Sequence, residues 1–163
     1  MTKVSPSIST RGGLTREAAI EKLHDHAFFI HCDPHLVSFE ANPDPAWGSY
    51  DVPKDIKPLA KQVKIYAVKD KYENPIMGSD INSTYEFIAL ADGIWLRVRS
   101  PMGTTMESTF TVREKGDGSG DLEVVQELDC KCNKALSGIV KKDLDKNYIL
   151  IHENLAQRLV EVK

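Results

Sequence analysis

Long hydrophobic runs are absent from the sequence: no apolar stretch approaches the roughly 20 residues that a membrane-spanning helix needs. Residues 1–6 also lack the apolar segment of a secretory signal. The sequence therefore predicts no membrane span, and we expect a protein of the cytoplasm. With 163 residues the chain has the usual length of one domain, so we expect a single domain over residues 1–163.

An excess of charge of one sign is absent too. The chain has 21 Lys and Arg against 24 Asp and Glu, which gives a net charge of -3. Nucleic-acid-binding domains usually carry a clearly basic surface, so we expect no nucleic acid partner. Hydrophobic residues make up 41% of the chain, enough for a globular core.

Cysteine is scarce, and the odd count of three without a secretory signal argues against a disulfide framework. Cys130 and Cys132 would share one face of a strand, but no further zinc ligands are evident nearby. His31 and His35 are four residues apart, yet Pro34 between them argues against a helix that would align them. We therefore expect neither a bound metal nor another cofactor.

Established catalytic motifs are missing as well. The sequence has no Gly-x-Ser-x-Gly segment, which would mark a nucleophilic serine at a strand-to-helix turn. The glycine-rich segment 116–120 joins two predicted strands rather than opening a helix, so it is not a phosphate-binding loop.

The N-terminal part predicts one strand, one helix and a second, short strand. Residues 2–10 are compatible with a strand, and Thr15 has the position of a helix N-cap before an apolar helical stripe. The helix is expected to break near Asp33, because a residue before proline is biased away from the α region. Residues 36–40 then predict a short strand.

The following segment, residues 42–58, is rich in proline and aspartate and contains Trp47. Its prolines exclude a central strand. Two interpretations stay open: a plain surface connection anchored by Trp47, or a functional loop such as a lid.

The clearest strand pair covers residues 83–90 and 94–99. Asp92-Gly93 between them predicts a type I′ turn, which places Ala91 opposite Ile94. One face of the hairpin is predicted to be mostly solvated and the other to face the interior. The solvated face would carry Glu86, Trp95, Arg97 and Arg99, and the interior face Tyr85, Phe87, Ala89, Leu96 and Val98.

Further strands and one long helix complete the pattern. Residues 63–68, 105–113 and 122–129 predict strands of an antiparallel meander. From Asn133, a possible helix cap, apolar residues recur every three or four positions to the end of the chain. A helix of that length is roughly 40 Å long and has to lie across the concave face of the sheet to bury its stripe. We therefore predict an α+β fold in which a curved antiparallel sheet of about six or seven strands wraps around a C-terminal helix.

This order resembles the helix-grip fold of the START-like (SRPBCC) superfamily, which includes polyketide cyclases and lipid-transfer domains. More narrowly, the chain resembles a group of small, mostly uncharacterised fungal START-like proteins. The segments that carry the resemblance are Leu14-Thr15-Arg16-Glu17, Leu23-His24-Asp25-His26, Asp33-Pro34, Asp92-Gly93-Ile94-Trp95 and Ser100-Pro101-Met102-Gly103. The resemblance implies one ligand-binding domain whose sheet and terminal helix enclose an apolar cavity for a hydrophobic small molecule.

Polar residues that point into such a cavity are the candidate functional groups, although each of them could also be an ordinary core residue. Tyr85, Tyr66 and His152 are the predicted catalytic residues, as hydrogen-bond donors to a ligand carbonyl. The predicted ligand-binding residues are Phe87, Leu96, Val98, Met106, Ser108, Phe110, Gln126, Tyr148, Ile151 and Trp47.

Three functions are compatible with this pattern. The resemblance favours an enzyme, a cofactor-independent cyclase or pericyclase (for example of the Diels-Alder type) in fungal polyketide or terpenoid secondary metabolism. Such catalysis would fold the substrate into a reactive shape and polarise an oxygen by hydrogen bonds. The alternatives are a non-catalytic protein that binds or transfers a lipid, sterol or other hydrophobic ligand, and an interaction module whose outer face, with Trp95, docks a partner protein.

Overall fold

The computed structural model describes residues 2–4, 7–8, 14–41, 52–59, 63–72 and 80–161. Its strands are β1 (Thr2–Val4), β2 (Ser7–Ile8), β3 (Leu36–Ala41), β4 (Lys64–Lys71), β5 (Asp80–Leu90), β6 (Gly93–Ser100), β7 (Thr104–Glu114) and β8 (Leu122–Lys131). Its helices are α1 (Arg16–His24), α2 (His26–Ile30) and α3 (Ser137–Val160), with short 3-10 helices at Pro101–Gly103 and Lys134–Leu136. None of the helices in these ranges is long and apolar enough to cross a membrane.

All strands belong to one curved antiparallel sheet in the order β1-β8-β7-β6-β5-β4-β3, and β2 also pairs with β8. Strands β5 to β8 form the predicted meander, and β4 and β5 each extend beyond the predicted strand. Together with the long C-terminal helix, this sheet confirms the predicted α+β fold of the helix-grip type.

The N-terminal helix is divided in two, so the prediction of one helix as far as Asp33 is wrong. Thr15 does cap α1, since its Oγ1 accepts a hydrogen bond of 3.1 Å from the backbone N of Ala18. Asp25 then takes an extended conformation, and its carboxylate accepts a 3.2 Å bond from the backbone N of Phe28. Asp25 therefore ends α1 and caps α2, because a short acidic side chain competes for backbone N–H groups.

The β5–β6 hairpin has a register two residues away from the predicted one. Ala89, not Ala91, lies opposite Ile94, and neither Asp92 nor Gly93 has a positive φ, so the turn is not of type I′. Gly93 instead belongs to β6, where a Cβ atom would lie 1.8 Å from the carbonyl oxygen of Phe110. The glycine is thus needed for the close approach of two strands. Because the shift is even, each side chain keeps its predicted face.

The convex face of this hairpin is covered, so the prediction of a mostly solvated face is wrong. Ile88, Leu90 and Trp95 pack against Val52 and Ile56 from the proline-rich segment, together with Val63, and the Trp95 side chain is 2% exposed. This part of the segment acts as a surface connection that shields an apolar cluster on the side of the sheet away from α3. A docking surface built on Trp95 is therefore excluded.

Charged residues on the same convex face form a network around two buried side chains, those of Glu86 and Arg97. Glu86 lies directly opposite Arg97, and its Oε2 is 3.2 Å from Arg99 Nε. Arg97 also donates to Glu107 over 3.0 Å and stacks on Trp95. Buried charges have to be paired, and these four groups meet that requirement among themselves.

The C-terminal helix divides the space above the concave face. Leu155 and Leu159, in its C-terminal half, are fully buried against α1, α2 and the sheet. The N-terminal half of the helix stands over a cavity instead. The candidate site is therefore this cavity, which lies at the end of the sheet where α3 leaves the space unfilled.

Candidate functional site

The candidate site is a cavity of about 170 Å³ between the concave face of the sheet and the N-terminal half of α3. Strands β5 to β8 form its floor and α3 its roof, while α2 and the turn after it close one side. Apolar side chains form most of the wall, as is usual in sites for small organic molecules. They include Phe29, Ile30, Leu96, Val98, Phe110, Leu128, Val140 and Leu144.

One region of the wall is acidic. Asp33 follows α2, and Asp70 comes near the end of β4, where its side chain shares the inner face with Val68. Both carboxylates are buried: Asp70 is 3% exposed and Asp33 is 9% exposed. The backbone N of His35 donates to Asp33 Oδ1 over 2.8 Å, so one of the two carboxylates has a fixed partner.

Burial changes the proton affinity of this region. It raises the pKa of Asp70 to about 7, and the nearby Asp33 carboxylate contributes to the rise. Burial also raises the pKa of Asp33, although the hydrogen bond from His35 opposes that change. The pKa of Tyr85 lies well above its usual value because of burial and the same two carboxylates. Tyr85 is therefore a neutral hydrogen-bond donor at neutral pH, while Asp70 can gain or lose a proton.

Several buried polar atoms on the wall have no hydrogen-bond partner among the described residues. They are Asp70 Oδ1, Thr104 Oγ1 and the hydroxyl of Tyr148. Buried polar groups in folded proteins are almost always paired with protein, water or ligand. All three residues line one cavity, so a polar group of a molecule bound there is a candidate partner for these atoms.

A hydrogen-bonded chain links α3 to the cavity floor. His152 Nε2 donates to Gln126 Oε1 over 2.5 Å, and Gln126 Nε2 donates to Ser108 Oγ over 2.9 Å. This chain uses the Ser108 oxygen as an acceptor and leaves its hydroxyl hydrogen available to a bound molecule. Burial lowers the pKa of His152 to about 4, so the imidazole is neutral at pH 7.

The structure brings most of the sequence-predicted site residues together on the cavity wall. Those that line the cavity are Tyr85, Leu96, Val98, Met106, Ser108, Phe110, Gln126, Tyr148 and Ile151. They come from β5 to β8 and α3, which agrees with the alternation and the helical stripe from which they were predicted.

Of the other four predicted residues, three are described and lie outside the cavity lining. Tyr66 lies outside the lining, where its hydroxyl is 3.1 Å from His26 Nδ1 and its ring packs edge-on against Phe87. Phe87 is fully buried in the core, with the His26 ring stacked on it at 4.5 Å. His152 is 2% exposed and reaches the cavity only through Gln126. Trp47 lies outside the described residues.

Tyr66 and Phe87 do not line the cavity because α2 covers them. The break at Asp25 turns α2 so that His26 and Phe29 fill the space above them, and Phe29 meets the Phe87 ring edge-on at 5.8 Å. The cavity is therefore confined to the other end of the sheet, between Phe29 and the first turns of α3.

Sequence reasoning missed the acidic residues of the wall. Asp33 was interpreted only as a helix end, and the strand that carries Asp70 was predicted to stop at Val68. A signal was present: Tyr66, Val68 and Asp70 alternate along one strand, and a carboxylate on an otherwise inward-facing row indicates a buried acid.

A family model described as a domain of unknown function, DUF7053, matches residues 6–161 of the chain. A search of curated protein sequences found no significant match. The chain is also similar to solved structures, and the three described next share 15% sequence identity or less with it.

The TTHA0849 protein of Thermus thermophilus has a TM-score of 0.61 and 15% identity, over 98% of this chain and 96% of that one. The Zhui aromatase/cyclase of Streptomyces sp. R1128 has a TM-score of 0.63 and 9% identity, over 97% and 92% of the two chains. The di-domain ARO/CYC BexL, from the BE-7585A biosynthetic pathway, has a TM-score of 0.64 and 10% identity, over 99% of this chain and 50% of that one. The chain thus has the length of about half of BexL.

At such identities the similarities show a common fold alone, the START-like helix-grip fold that the sequence resembles. The family match covers nearly all of the chain. The chain therefore belongs to the DUF7053 family.

Proposed function

We propose that the cavity binds a hydrophobic small molecule and that the protein is a cofactor-independent cyclase acting on it. The observation that carries this proposal is the set of unpaired polar atoms of Asp70, Thr104 and Tyr148 on the wall of one largely apolar cavity. An apolar wall favours an apolar ligand, and the unpaired atoms favour one that carries a few polar groups.

The chemistry follows from the hydrogen-bond donors that face the cavity. Burial raises the pKa of Tyr148, and burial and the carboxylates raise that of Tyr85, so both phenols are neutral donors at pH 7. A carbonyl group whose oxygen accepts a hydrogen bond from Tyr148 or from Ser108 becomes more electrophilic. The enclosing walls hold the substrate in a folded shape that brings its reacting carbons together. A pericyclic ring closure of a polyketide or terpenoid precursor, as in fungal secondary metabolism, transfers no proton and releases no leaving group, so these two effects are sufficient to accelerate it.

The fold supports this proposal without deciding it. Zhui and BexL carry the names aromatase/cyclase and ARO/CYC, and the chain shares their fold. Fold alone does not fix an activity, so the weight of the proposal rests on the polar groups of the cavity.

A second function, non-catalytic binding or transfer of a hydrophobic ligand, is favoured by a different observation. Of the three predicted catalytic residues only Tyr85 lines the cavity, while Tyr66 and His152 are engaged elsewhere. A carrier would need the apolar wall and would not need a reactive group.

Filling the cavity tests the binding that both functions share. Met106 lines the cavity from β7, and its neighbour Thr105 points to the opposite face of the same strand. We expect Met106→Trp to weaken binding of the neutral fluorescent probe N-phenylnaphthylamine by about tenfold or more, because the indole occupies the void. Thr105→Trp, the matched control, should bind the probe as the wild type does. Equal affinity of all three proteins, each shown to be folded by circular dichroism, contradicts the proposal.

Turnover separates the enzyme from the carrier. The wild-type protein and Tyr148→Phe are incubated with linear polyketone and polyene precursors, and the products are followed by chromatography and mass spectrometry. Cyclised product formed by the wild type and slowed in Tyr148→Phe supports the enzyme. Binding of the precursors without any change in their rate of cyclisation supports the carrier.

A further inference from the structure

Within the described part of the chain, the charged side chains that line the cavity are all acidic. Asp33, Asp70 and Asp143 line it, and its wall contains no Lys, Arg or His among the described residues. His35 does not line the cavity, and its Nε2 donates to Asn147 Oδ1 over 3.0 Å. The part of the protein that the structure describes therefore gives Asp70 no cationic partner on the wall.

Asp70 is a buried carboxylic acid with an incomplete set of hydrogen bonds. Its side chain is 3% exposed, and its Oδ1 has no hydrogen-bond partner among the described residues. The carboxylate of Asp33 adds to the cost of ionising it, as the raised pKa of Asp70 indicates. A buried carboxylate is retained without large cost only when a cation or several donors compensate it.

The surroundings of the two carboxylates suit an organic cation. Tyr72 and Tyr85 lie on the same part of the wall, and each has its pKa raised by burial and by Asp33 and Asp70. Aromatic rings beside carboxylates attract ammonium groups through the negative potential of their faces. The surroundings suit a metal ion less well. Among the described residues there is no group of three or more His, Cys, Asp or Glu side chains that could hold one.

We propose that the ligand of this cavity carries a protonated amine, which binds between the carboxylates of Asp33 and Asp70, while its apolar body lies against Leu96, Val98 and Phe110. This inference rests on the proposed function, since it assigns a chemical class to the molecule that occupies the same cavity. A substrate or cargo of this class is an apolar compound with a basic nitrogen, for example a polyketide or terpenoid precursor that carries an amine, and it binds more tightly than its uncharged analogue.

Three probes with one aromatic body and different charges test the inference. They are naphthylethylamine, which is cationic, naphthylethanol, which is neutral, and naphthylacetate, which is anionic. Their affinities for the wild-type protein are measured by isothermal titration calorimetry at pH 8. We expect the amine to bind at least about tenfold more tightly than the alcohol, and the acetate to bind more weakly than either.

The pH dependence of amine binding gives an independent readout. The titratable groups that line the cavity with Asp70 are Asp33, Asp143, Tyr72, Tyr85 and Tyr148, and His35 lies next to the lining residue Asn147. Protonation of Asp70 removes the charge that pairs with the amine. The affinity for the amine should therefore fall roughly 10- to 30-fold between pH 8 and pH 5.5, in proportion to the ionised fraction of Asp70, while that for the alcohol should change little.

Substitution assigns the effect to the carboxylates. Asp70→Asn should lower the affinity for the amine at least about tenfold at pH 8 and leave that for the alcohol within about threefold. Asp33→Asn should act in the same direction. Asp129→Asn changes an exposed carboxylate on β8 and is the matched control, which should behave as the wild type.

The outcomes separate this inference from the function on which it rests. If the alcohol binds as tightly as the amine, and Met106→Trp still weakens both, the cavity is a binding site and the amine is refuted as its ligand class. If Asp70→Asn weakens the alcohol and the amine equally, Asp70 acts as a general polar contact, which also overturns the inference. If none of the probes binds to the wild type, both proposals fail.

Discussion

His152 and Gln126 join the C-terminal helix to the floor of the sheet through one buried hydrogen bond, with 2.5 Å between His152 Nε2 and Gln126 Oε1. His152 Nδ1 has no partner among the described residues, so the ring is held as a neutral tautomer with its proton on Nε2. The bond lies at the border between the packed end of the fold and the cavity. It therefore fixes the height of α3 above the sheet at the point where the cavity begins.

The neutral state of His152 predicts a loss of stability in acid. Burial lowers its pKa from 6.5 to about 4, so between these values the unfolded chain binds a proton that the folded protein does not. The contribution of His152 to the free energy of unfolding therefore falls by up to roughly 3 kcal/mol as the pH decreases from 6.5 towards 4. Because other groups also titrate in this range, the prediction concerns a difference: in urea unfolding at pH 7, 5.5 and 4.5, the stability of the wild type relative to that of His152→Gln should fall as the pH is lowered. The exposed His31 supplies the control: His31→Gln should keep the wild-type dependence, and an equal loss of dependence in both variants would contradict the assignment.

Asp70 predicts the opposite trend over an overlapping pH range. Its pKa is raised from 3.8 to about 7, so in this interval the folded protein holds a proton that the unfolded chain releases. Stability is therefore lost as the pH rises through this range, by up to roughly 4 kcal/mol. Asp70→Asn should be more stable than the wild type at pH 8, with a smaller difference at pH 5. Asp129→Asn is the control in the same unfolding experiments. A variant less stable than the wild type at pH 8 would show that the ionised carboxylate has a stabilising partner.

Gly93 predicts a steric limit on the hairpin. A Cβ atom there would lie 1.8 Å from the Phe110 carbonyl oxygen, a backbone atom that cannot move without disturbing the β6–β7 ladder. Gly93→Ala should lower the free energy of unfolding by about 2 to 4 kcal/mol. Gly116→Ala, in a turn with no atom within 4 Å of the added Cβ, should change it by less than about 0.5 kcal/mol. Equal effects in chemical denaturation would mean that the strands do not approach as described.

Two tyrosines should respond in opposite ways to loss of the hydroxyl group. The Tyr148 hydroxyl is buried without a partner among the described residues, so Tyr148→Phe should leave stability unchanged or raise it by about 1 kcal/mol. Tyr66 hydrogen-bonds to His26, so Tyr66→Phe should lower stability by about 1 kcal/mol. For a ligand that carries a carbonyl group, only Tyr148→Phe should weaken binding. Thermal unfolding and calorimetric titration of both variants check the pair, and weaker binding in Tyr66→Phe alone would reverse the assignment.

The fold was largely predictable because it rests on periodicity. The stripe of α3 and the alternation of β5 to β8 each select one face for burial, and that choice survives an error of two residues in the hairpin register. The register itself was not predictable from Asp92-Gly93, since Gly93 is needed where β6 meets Phe110 rather than in the turn. The division of the first helix at Asp25 escaped prediction for a similar reason, because an Asp is tolerated inside a helix until its side chain finds backbone N–H groups to cap.

The residues of the candidate site were predictable only where they follow the same alternation along a strand as the core residues. Side chains such as Val98, Ser108 and Gln126 follow from alternation, which says which face they occupy. Asp33 and Asp70 meet only in three dimensions, because they lie on opposite sides of β3 in the chain. The burial of Trp95 likewise depends on a loop whose path across the convex face has no periodic signal.

Methyl NMR tests the central claim, that a small molecule binds between the sheet and α3, most directly. Naphthylethanol is titrated into protein with labelled Ile, Leu, Val and Met methyl groups. The account predicts shifts, and nuclear Overhauser contacts with the probe, for cavity methyls such as Leu96, Val98 and Leu144, and none for Ile88 and Leu90 on the convex face. Contacts confined to the convex face or to the exposed Ile149, or no contacts at saturating probe, would contradict it.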